Sequence, residues 1–364
     1  MRLRRRRAAP LRIEAPPALL EWRRSGTAPL DPRPAPERMR VAVVIPWFFE
    51  GSGGHSTIAN LVRGLEARGH ECSLWLDGEH SGDAAADFRR WFGPVAAPLR
   101  TGFGEWAGAD VVVATGWQTV HRTLLLPGCG TRAYLVQDHE PEFYGTSAER
   151  TWAEQTYALG LHCVCASPWL ADVMRSRYGA RASAFDLGVR HDLYHPVDVD
   201  REEGVVAFYA RAVTARRAVP LGLLALEEVR DADVVLFGEG RPLASRFRQI
   251  GLMRPQDLAR LYSQATVGVV LSMTNPSLVP TEMLACGLPV VDVASDAMVA
   301  TFGHDGPIVL ADFDPLALAG AISALLTDPA ERARRSAAGL ELVAGRTWEA
   351  AAAQVEAGLR AAFS

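Results

Sequence analysis

The chain has 364 residues, 49% of them hydrophobic and 22% charged, with a formal net charge of −4. That composition suits two sizeable cores and excludes a collagenous or wholly disordered protein. All 38 basic residues are arginine, which excludes chemistry through a lysine Schiff base or lysine nucleophile.

Residues 1–40 hold eleven arginines, four acids and seven prolines. Arg2 and Arg4 to Arg7 open the chain, but no apolar segment of signal-peptide length follows, which argues against export by that route. The stretch reads as a disordered Arg/Pro-rich tail, with weak contact to an anionic membrane surface as a second reading. The rest of the chain is acidic, which argues against a nucleic-acid partner.

From Val41 the pattern becomes regular. Val41 to Pro46 reads as a strand, followed by a glycine-rich loop and by Ile58, Leu61, Val62 and Leu65 at helical spacing, closed by Gly69. Cys72 to Leu76, Val111 to Ala114, Tyr134 to Val136 and Cys163 to Ala166 read as further strands, with helices over Ser147 to Leu159 and Trp169 to Tyr178. A polar stretch from Arg190 to Glu203 interrupts the alternation. Strands then resume at Val205 to Tyr209, Val234 to Phe237, Val267 to Leu271, Val290 to Val293 and Ile308 to Leu310, with helix starts at Pro255 and at Asp314-Pro315. Short apolar strands alternating with helices predict an α/β protein of two doubly wound, Rossmann-like domains, over 41–195 and 204–345, with a closing helix in 346–364. The apolar runs fall far short of the ~20 residues that span a bilayer. Five cysteines, at 72, 129, 163, 165 and 286, are too few and scattered for a disulfide framework and suit a reducing cytoplasm. Cys163 and Cys165 read as buried strand residues.

In doubly wound sheets ligands bind beyond the carboxyl ends of the strands. The first such loop carries Gly51, Gly53, Gly54 and His55, and its glycines would let backbone amides approach a phosphate or sugar. Ser56 stands where the dinucleotide fingerprint needs its third glycine. Gln137, Asp138, His139 and Glu140 follow another strand and suit hydrogen bonding to a hydroxylated ligand or proton handling. In the second half, Arg211, Arg216 and Arg217 offer planar forks to a diphosphate. Gly238-Glu239-Gly240 and Ile250-Gly251-Leu252 allow backbone contact with a flat base. Ser277, Leu278 and Val279 would present free amides at a helix start, with Glu282 one turn on, placed to accept from ribose hydroxyls. The Asp-x-Asp pairs at 198/200, 231/233 and 312/314 read as linker, pre-strand and helix-cap residues, so no metal site is expected.

As a set, Arg211, Gly238 to Gly240, Ile250 to Leu252 and Glu282 through Ala285-Cys286-Gly287-Leu288-Pro289-Val290 resemble the retaining glycosyltransferases of family 4, which have the GT-B fold. The resemblance runs from about residue 41 to 361, including Arg346-Thr347-Trp348 at the closing helix. Two positions depart from that family's pattern: Thr274 replaces the first glutamate of Glu-x7-Glu, and Arg216 or Arg217 replaces the phosphate-binding lysine. Phe208-Tyr209-Ala210-Arg211, Val136-Gln137-Asp138-His139-Glu140-Pro141 and Pro276-Ser277 are similar to a subgroup, the WsaF-type rhamnosyltransferases.

That resemblance implies two domains facing across a cleft, a last helix crossing back to the first domain, and retaining, metal-independent transfer of rhamnose from dTDP-rhamnose to a saccharide or lipid-linked glycan. It implies no further cofactor; the cysteine usage adds a cytoplasmic location, and the Arg-rich tail a second reading at the inner membrane face. Arg211, Arg217, Glu282 and His139 would carry the chemistry. Gly53, Gly54, Arg216, Gly238, Gly240, Leu252, Ser277, Leu278 and Val279 would bind the donor, and His55, Asp138 and Glu140 the acceptor. The alternatives are a nucleotide-sugar epimerase or NAD-dependent enzyme using the 51–56 loop, and a non-catalytic glycan-binding protein, made thinkable by Thr274.

Overall fold

The computed structural model describes residue 16 and residues 18–364. A short helix α1 (Leu19–Ser25) precedes the first domain, which runs β1 (Arg40–Ile45), α2 (Gly53–Ala67), β2 (Glu71–Leu76), α3 (Ala84–Phe92), β3 (Leu99–Thr101), β4 (Ala109–Ala114) and α4 (Trp117–Leu125). It continues through β5 (Cys129–Val136), α5 (Ala148–Thr156), β6 (His162–Cys165), α6 (Pro168–Tyr178) and β7 (Ala182–Ala184). Its seven strands are parallel, in the order β3-β2-β1-β4-β5-β6-β7. Val41, Val43 and Ile45 of β1 enter one core while Ala42 and Val44 enter the core on the other face. A strand covered on both sides has to be apolar throughout, which is why these runs show no alternation.

The second domain runs β8 (Val205–Tyr209), α7 (Val219–Glu228), β9 (Asp233–Phe237), β10 (Arg248–Gly251), α8 (Pro255–Gln264), β11 (Val267–Val269) and α9 (Leu278–Ala285). It ends with β12 (Val290–Val293), α10 (Asp296–Phe302), β13 (Ile308–Ala311), α11 (Pro315–Thr327) and α12 (Pro329–Ala344). This sheet is also parallel, in the order β10-β9-β8-β11-β12-β13. Strand order reverses direction beside β1 in the first sheet and beside β8 in the second. The loops after those two strands therefore flank the crevices where such sheets take ligands.

The last helix, α13 (Trp348–Ala361), leaves the second domain and packs on α2, β6 and β7. Gly64 of α2 lacks the Cβ that would collide with Ala352, which lets the two helices approach closely. Arg68 pairs with Glu356 across this contact, and His70 Nε2 lies 3.3 Å from the same carboxylate. The return path is fixed where Val189 N–H donates to Arg346 O at 2.8 Å.

One expectation needs correction. Residues 18–40 are not a loose tail but a strap on the first domain: Ala28 N–H donates to Leu124 O at 2.9 Å, Asp31 N–H to Cys129 O at 2.8 Å, and Arg132 Nη2 to Ala28 O at 2.9 Å. The Trp22 ring lies tilted against His121 at 5.1 Å, and Arg360 donates to the carbonyls of Pro36 and Glu37. Prolines with fixed φ lose little entropy in such an extended path, a term that composition alone misjudges. The Arg2 to Arg7 cluster lies outside the described residues. Among the described residues no helix is long and apolar enough to cross a membrane.

Candidate functional site

The second-domain half of the site gathers around Tyr209, the last residue of β8. Its ring lies within electrostatic reach of Arg211, Arg217, Arg216 and Glu282, and burial raises its hydroxyl above the usual tyrosine range. Gly238, in a left-handed conformation at φ 90°, lies against this ring, and any Cβ there would run into it. Arg211 Nη1 donates to Gly238 O at 3.4 Å.

Arg217 ends the 3-10 turn Ala215–Arg217 and is only 5% exposed. Its guanidinium donates from Nη1 to Ser272 Oγ at 3.2 Å, and among the described residues no carboxylate lies within ion-pair distance. Burial and the neighbouring Arg216 charge both press its pKa downward. Asp138 and Asp292 act on this buried guanidinium only from beyond ion-pair distance, so an anion bound directly against it would relieve its desolvation cost.

Ser277 caps α9 without a side-chain cap bond, its Oγ is buried without a partner, and no acid occupies the first turn. Amides of Leu278 and Val279 therefore sit at an unneutralised helix start. Glu282, one turn on, has its carboxyl pushed up to about 7 by burial, an effect that a hydrogen bond from Tyr194 partly offsets. Gly240 and Leu252 meet at the opposite end, where the Leu252 side chain is 68% exposed over the glycine. Val213 is exposed on the same lip. These small and apolar surfaces suit a planar base.

The first-domain half differs from the expectation at three residues. His55 serves the start of α2: its Nδ1 lies 2.7 Å from Ser52 Oγ and its ring bonds the backbone of Trp47, while burial lowers its pKa to about 4. It fixes the loop from within and is not presented to an acceptor. His139 is 1% exposed, with Nε2 2.7 Å from the Tyr178 hydroxyl and Nδ1 3.0 Å from Glu142. Both ring nitrogens are thus used inside the first domain, and the ring anchors its loop. Glu140 is buried and accepts from Trp117 N–H at the start of α4 at 2.7 Å; burial pushes its carboxyl up to about 7. It caps a helix within the fold. Gly53 and Gly54 are exposed at the start of α2, with Gly54 beside the Gln137 side chain.

Asp138 has a role that its residue type alone did not reveal. Its carboxylate joins the two domains: Oδ1 accepts from Asn275 N–H at 3.1 Å, and Oδ2 accepts from Thr274 Oγ1 at 3.1 Å and pairs with Arg216 Nε at 3.0 Å. The Asn275 side chain completes the seam, its Nδ2 donating to Gln137 O and Ala166 O at 3.1 Å and its Oδ1 accepting from Ser167 Oγ at 2.6 Å. Arg216 also lies over the Phe143 ring at 3.9 Å. Sequence reasoning missed Asn275, whose signal was its position in the loop opening the Pro276-Ser277 motif.

Asp292 was missed as well. It accepts from Ser272 N–H and Val293 N–H, both at 2.7 Å, beneath the Arg217–Ser272 bond, and burial pushes its carboxyl up to about 7.

Comparison with known proteins bears on this geometry. Residues 203–328 match the family model for glycosyl transferases group 1. The O-antigen biosynthesis protein RfbC of Myxococcus xanthus is 31% identical over 264 residues, covering 69% of this chain and 20% of that protein. The chain thus spans about a fifth of the length of this curated relative.

Among solved structures, sucrose-phosphate synthase of Thermosynechococcus elongatus superimposes with a TM-score of 0.68 at 18% identity, covering 90% of this chain and 99% of that one. HepE of Anabaena, solved in complex with UDP and glucose, gives 0.69 at 14% identity, covering 89% and 100%. These likenesses show the fold, two Rossmann-like domains of GT-B type.

Proposed function

We propose that this protein transfers a sugar from a nucleotide-diphosphate donor to a saccharide acceptor across the cleft between its domains. The observation that carries this reading is Arg217, a buried cation with no carboxylate partner among the described residues, set beside Arg211 and the open start of α9. A donor diphosphate supplies the missing charge. Arg211, Arg217 and the Leu278 and Val279 amides then meet the negative charge that grows as the sugar–phosphate bond breaks. Glu282 holds the ribose, and the Gly240–Leu252 lip takes the base.

A retaining, front-face course fits the surroundings. Asp138, Glu140 and His139 are all engaged in the fold, so the first-domain side of the cleft offers none of them as a free general base. The departing diphosphate oxygen takes the acceptor proton instead, as the C1–O bond to the acceptor forms. The arginines and helix amides do the electrostatic work that a metal ion does elsewhere, which supports a metal-independent reaction. For the donor, the resemblance to WsaF-type enzymes favours dTDP-rhamnose, and the alignment with an O-antigen biosynthesis protein favours a cell-surface glycan as product. A cytoplasmic site of action belongs to this reading, supported by five free, buried cysteines.

The test is turnover. The protein is incubated separately with dTDP-rhamnose and UDP-glucose, and release of dTDP or UDP is followed by chromatography. Faster release from dTDP-rhamnose supports the rhamnosyl reading. Release from UDP-glucose alone reassigns the donor, and release from neither, with NAD bound tightly, overturns the transferase.

A further inference from the structure

We propose that Trp47 and Phe49 form a stacking platform for the acceptor saccharide, a proposal that rests on the transferase reading above. The loop after β1 carries Trp47, Phe48 and Phe49 in succession. Phe48 turns into the core, stacked on His80 at 4.6 Å and edge-on to Phe88 at 5.3 Å. Its two neighbours stack on each other at 5.4 Å with 23° between planes, Trp47 half-buried and Phe49 41% exposed. Leaving Phe49 exposed on a half-buried Trp47 presents an aromatic surface at the loop that the nearby core could have buried.

The loop backbone is held at three points. The Pro46 carbonyl sits where a Cβ on Gly78 would collide with it, the His55 ring bonds the backbone of Trp47, and Phe48 pins the centre of the loop. The same loop leads on to the cleft. The loop passes from Gly78, after β2, to Gly54 beside Gln137, whose carbonyl accepts from Asn275 of the second domain at 3.1 Å. Donor phosphates belong on the far side of that seam, with Arg217.

An aromatic pair on the near side matches a pyranose that offers its C–H face to a π surface and its hydroxyls to the exposed glycine amides at 53 and 54. The ligand class is therefore a terminal pyranose of the acceptor, with a 6-deoxysugar favoured because its methyl group extends the apolar face.

Saturation-transfer NMR on the full chain tests this, with methyl α-L-rhamnopyranoside and methyl α-D-glucopyranoside as probes. Ring C–H protons should saturate with the wild type. Saturation should fall about three- to tenfold in Trp47→Leu and Phe49→Leu, in line with the loss of a stacking contact. Only variants that keep the wild-type melting temperature are scored, and UDP and dTDP titrations should be unchanged in them. No saturation with the wild type, or saturation that survives both substitutions, overturns the platform. If neither nucleotide binds the wild type, the transferase reading fails instead, while the sugar signal still judges the platform.

Discussion

Asp138 and Thr274 face each other across the domain boundary, with Thr274 Oγ1 donating to Asp138 Oδ2 at 3.1 Å. Thr274 stands where the resembling family carries a glutamate. A glutamate there would set a second carboxylate against Asp138, and two like charges in a buried seam repel strongly. The departure at 274 is thus coupled to the acid at 138.

Thr274→Glu should therefore open the cleft. Small-angle scattering should show a larger radius of gyration than the wild type, and Asp138→Asn in the same chain should reverse part of it. An unchanged profile in the single variant would remove the coupling.

Asn275→Ala deletes three side-chain hydrogen bonds to the first domain. With each worth about 1 kcal/mol net, and buried partners left unsatisfied, the loss should be about 2–4 kcal/mol. Chemical denaturation checks it, and a change below about 0.5 kcal/mol would show that the seam adds little to stability.

The α2–α13 contact depends on an absent side chain. Gly64→Ala places a methyl group against Ala352, and overpacking of this kind costs about 1–3 kcal/mol. A lower melting temperature is expected, with the double variant Gly64→Ala/Ala352→Gly recovering much of it. Full stability in the single variant would mean that the helices separate freely.

Glu140 gives a pH test with a definite sign. Its carboxyl titrates near 7 when folded, against an ordinary value of 4.5. Between those values the unfolded chain has released the proton and the folded chain has not, so this group lowers stability as pH rises from about 4.5 to 7. Glu140→Gln keeps an acceptor for Trp117 N–H and removes the titration. The stability of the variant should gain on the wild type from pH 5 to 7.5 by about 2 kcal/mol, read as a growing difference in melting temperature. A constant difference across that range would show that Glu140 ionises normally. Because His55 and His162, lowered by burial to about 4, push in the opposite direction over much of the same range, only the difference between proteins is informative.

The fold was largely legible because parallel strands covered on both faces must be continuous apolar runs, as in Val205 to Tyr209 and Val290 to Val293. Strands β3, β7 and β10 were not, since Leu99–Thr101, Ala182–Ala184 and Arg248–Gly251 are short edge segments with only partial burial. At the site, the sequence located the loops but not the direction of each side chain. Arg211, Arg217 and Glu282 do converge, around Tyr209. His55, His139 and Glu140 lie in the same loops yet face inward, because a polar group near a strand end can equally close a helix or tie down a loop. Asp138 and Asn275 meet only through tertiary pairing across 137 positions, which no local pattern encodes.

The central claim is that the second domain holds a nucleoside diphosphate through Arg217, and calorimetric titration of UDP and dTDP into the wild type and Arg217→Ala tests it most directly. The prediction is binding to the wild type that weakens by about tenfold or more in the variant, as expected for loss of a buried charge-assisted contact. Equal affinity in the two proteins, or binding of NAD with neither diphosphate, would contradict it.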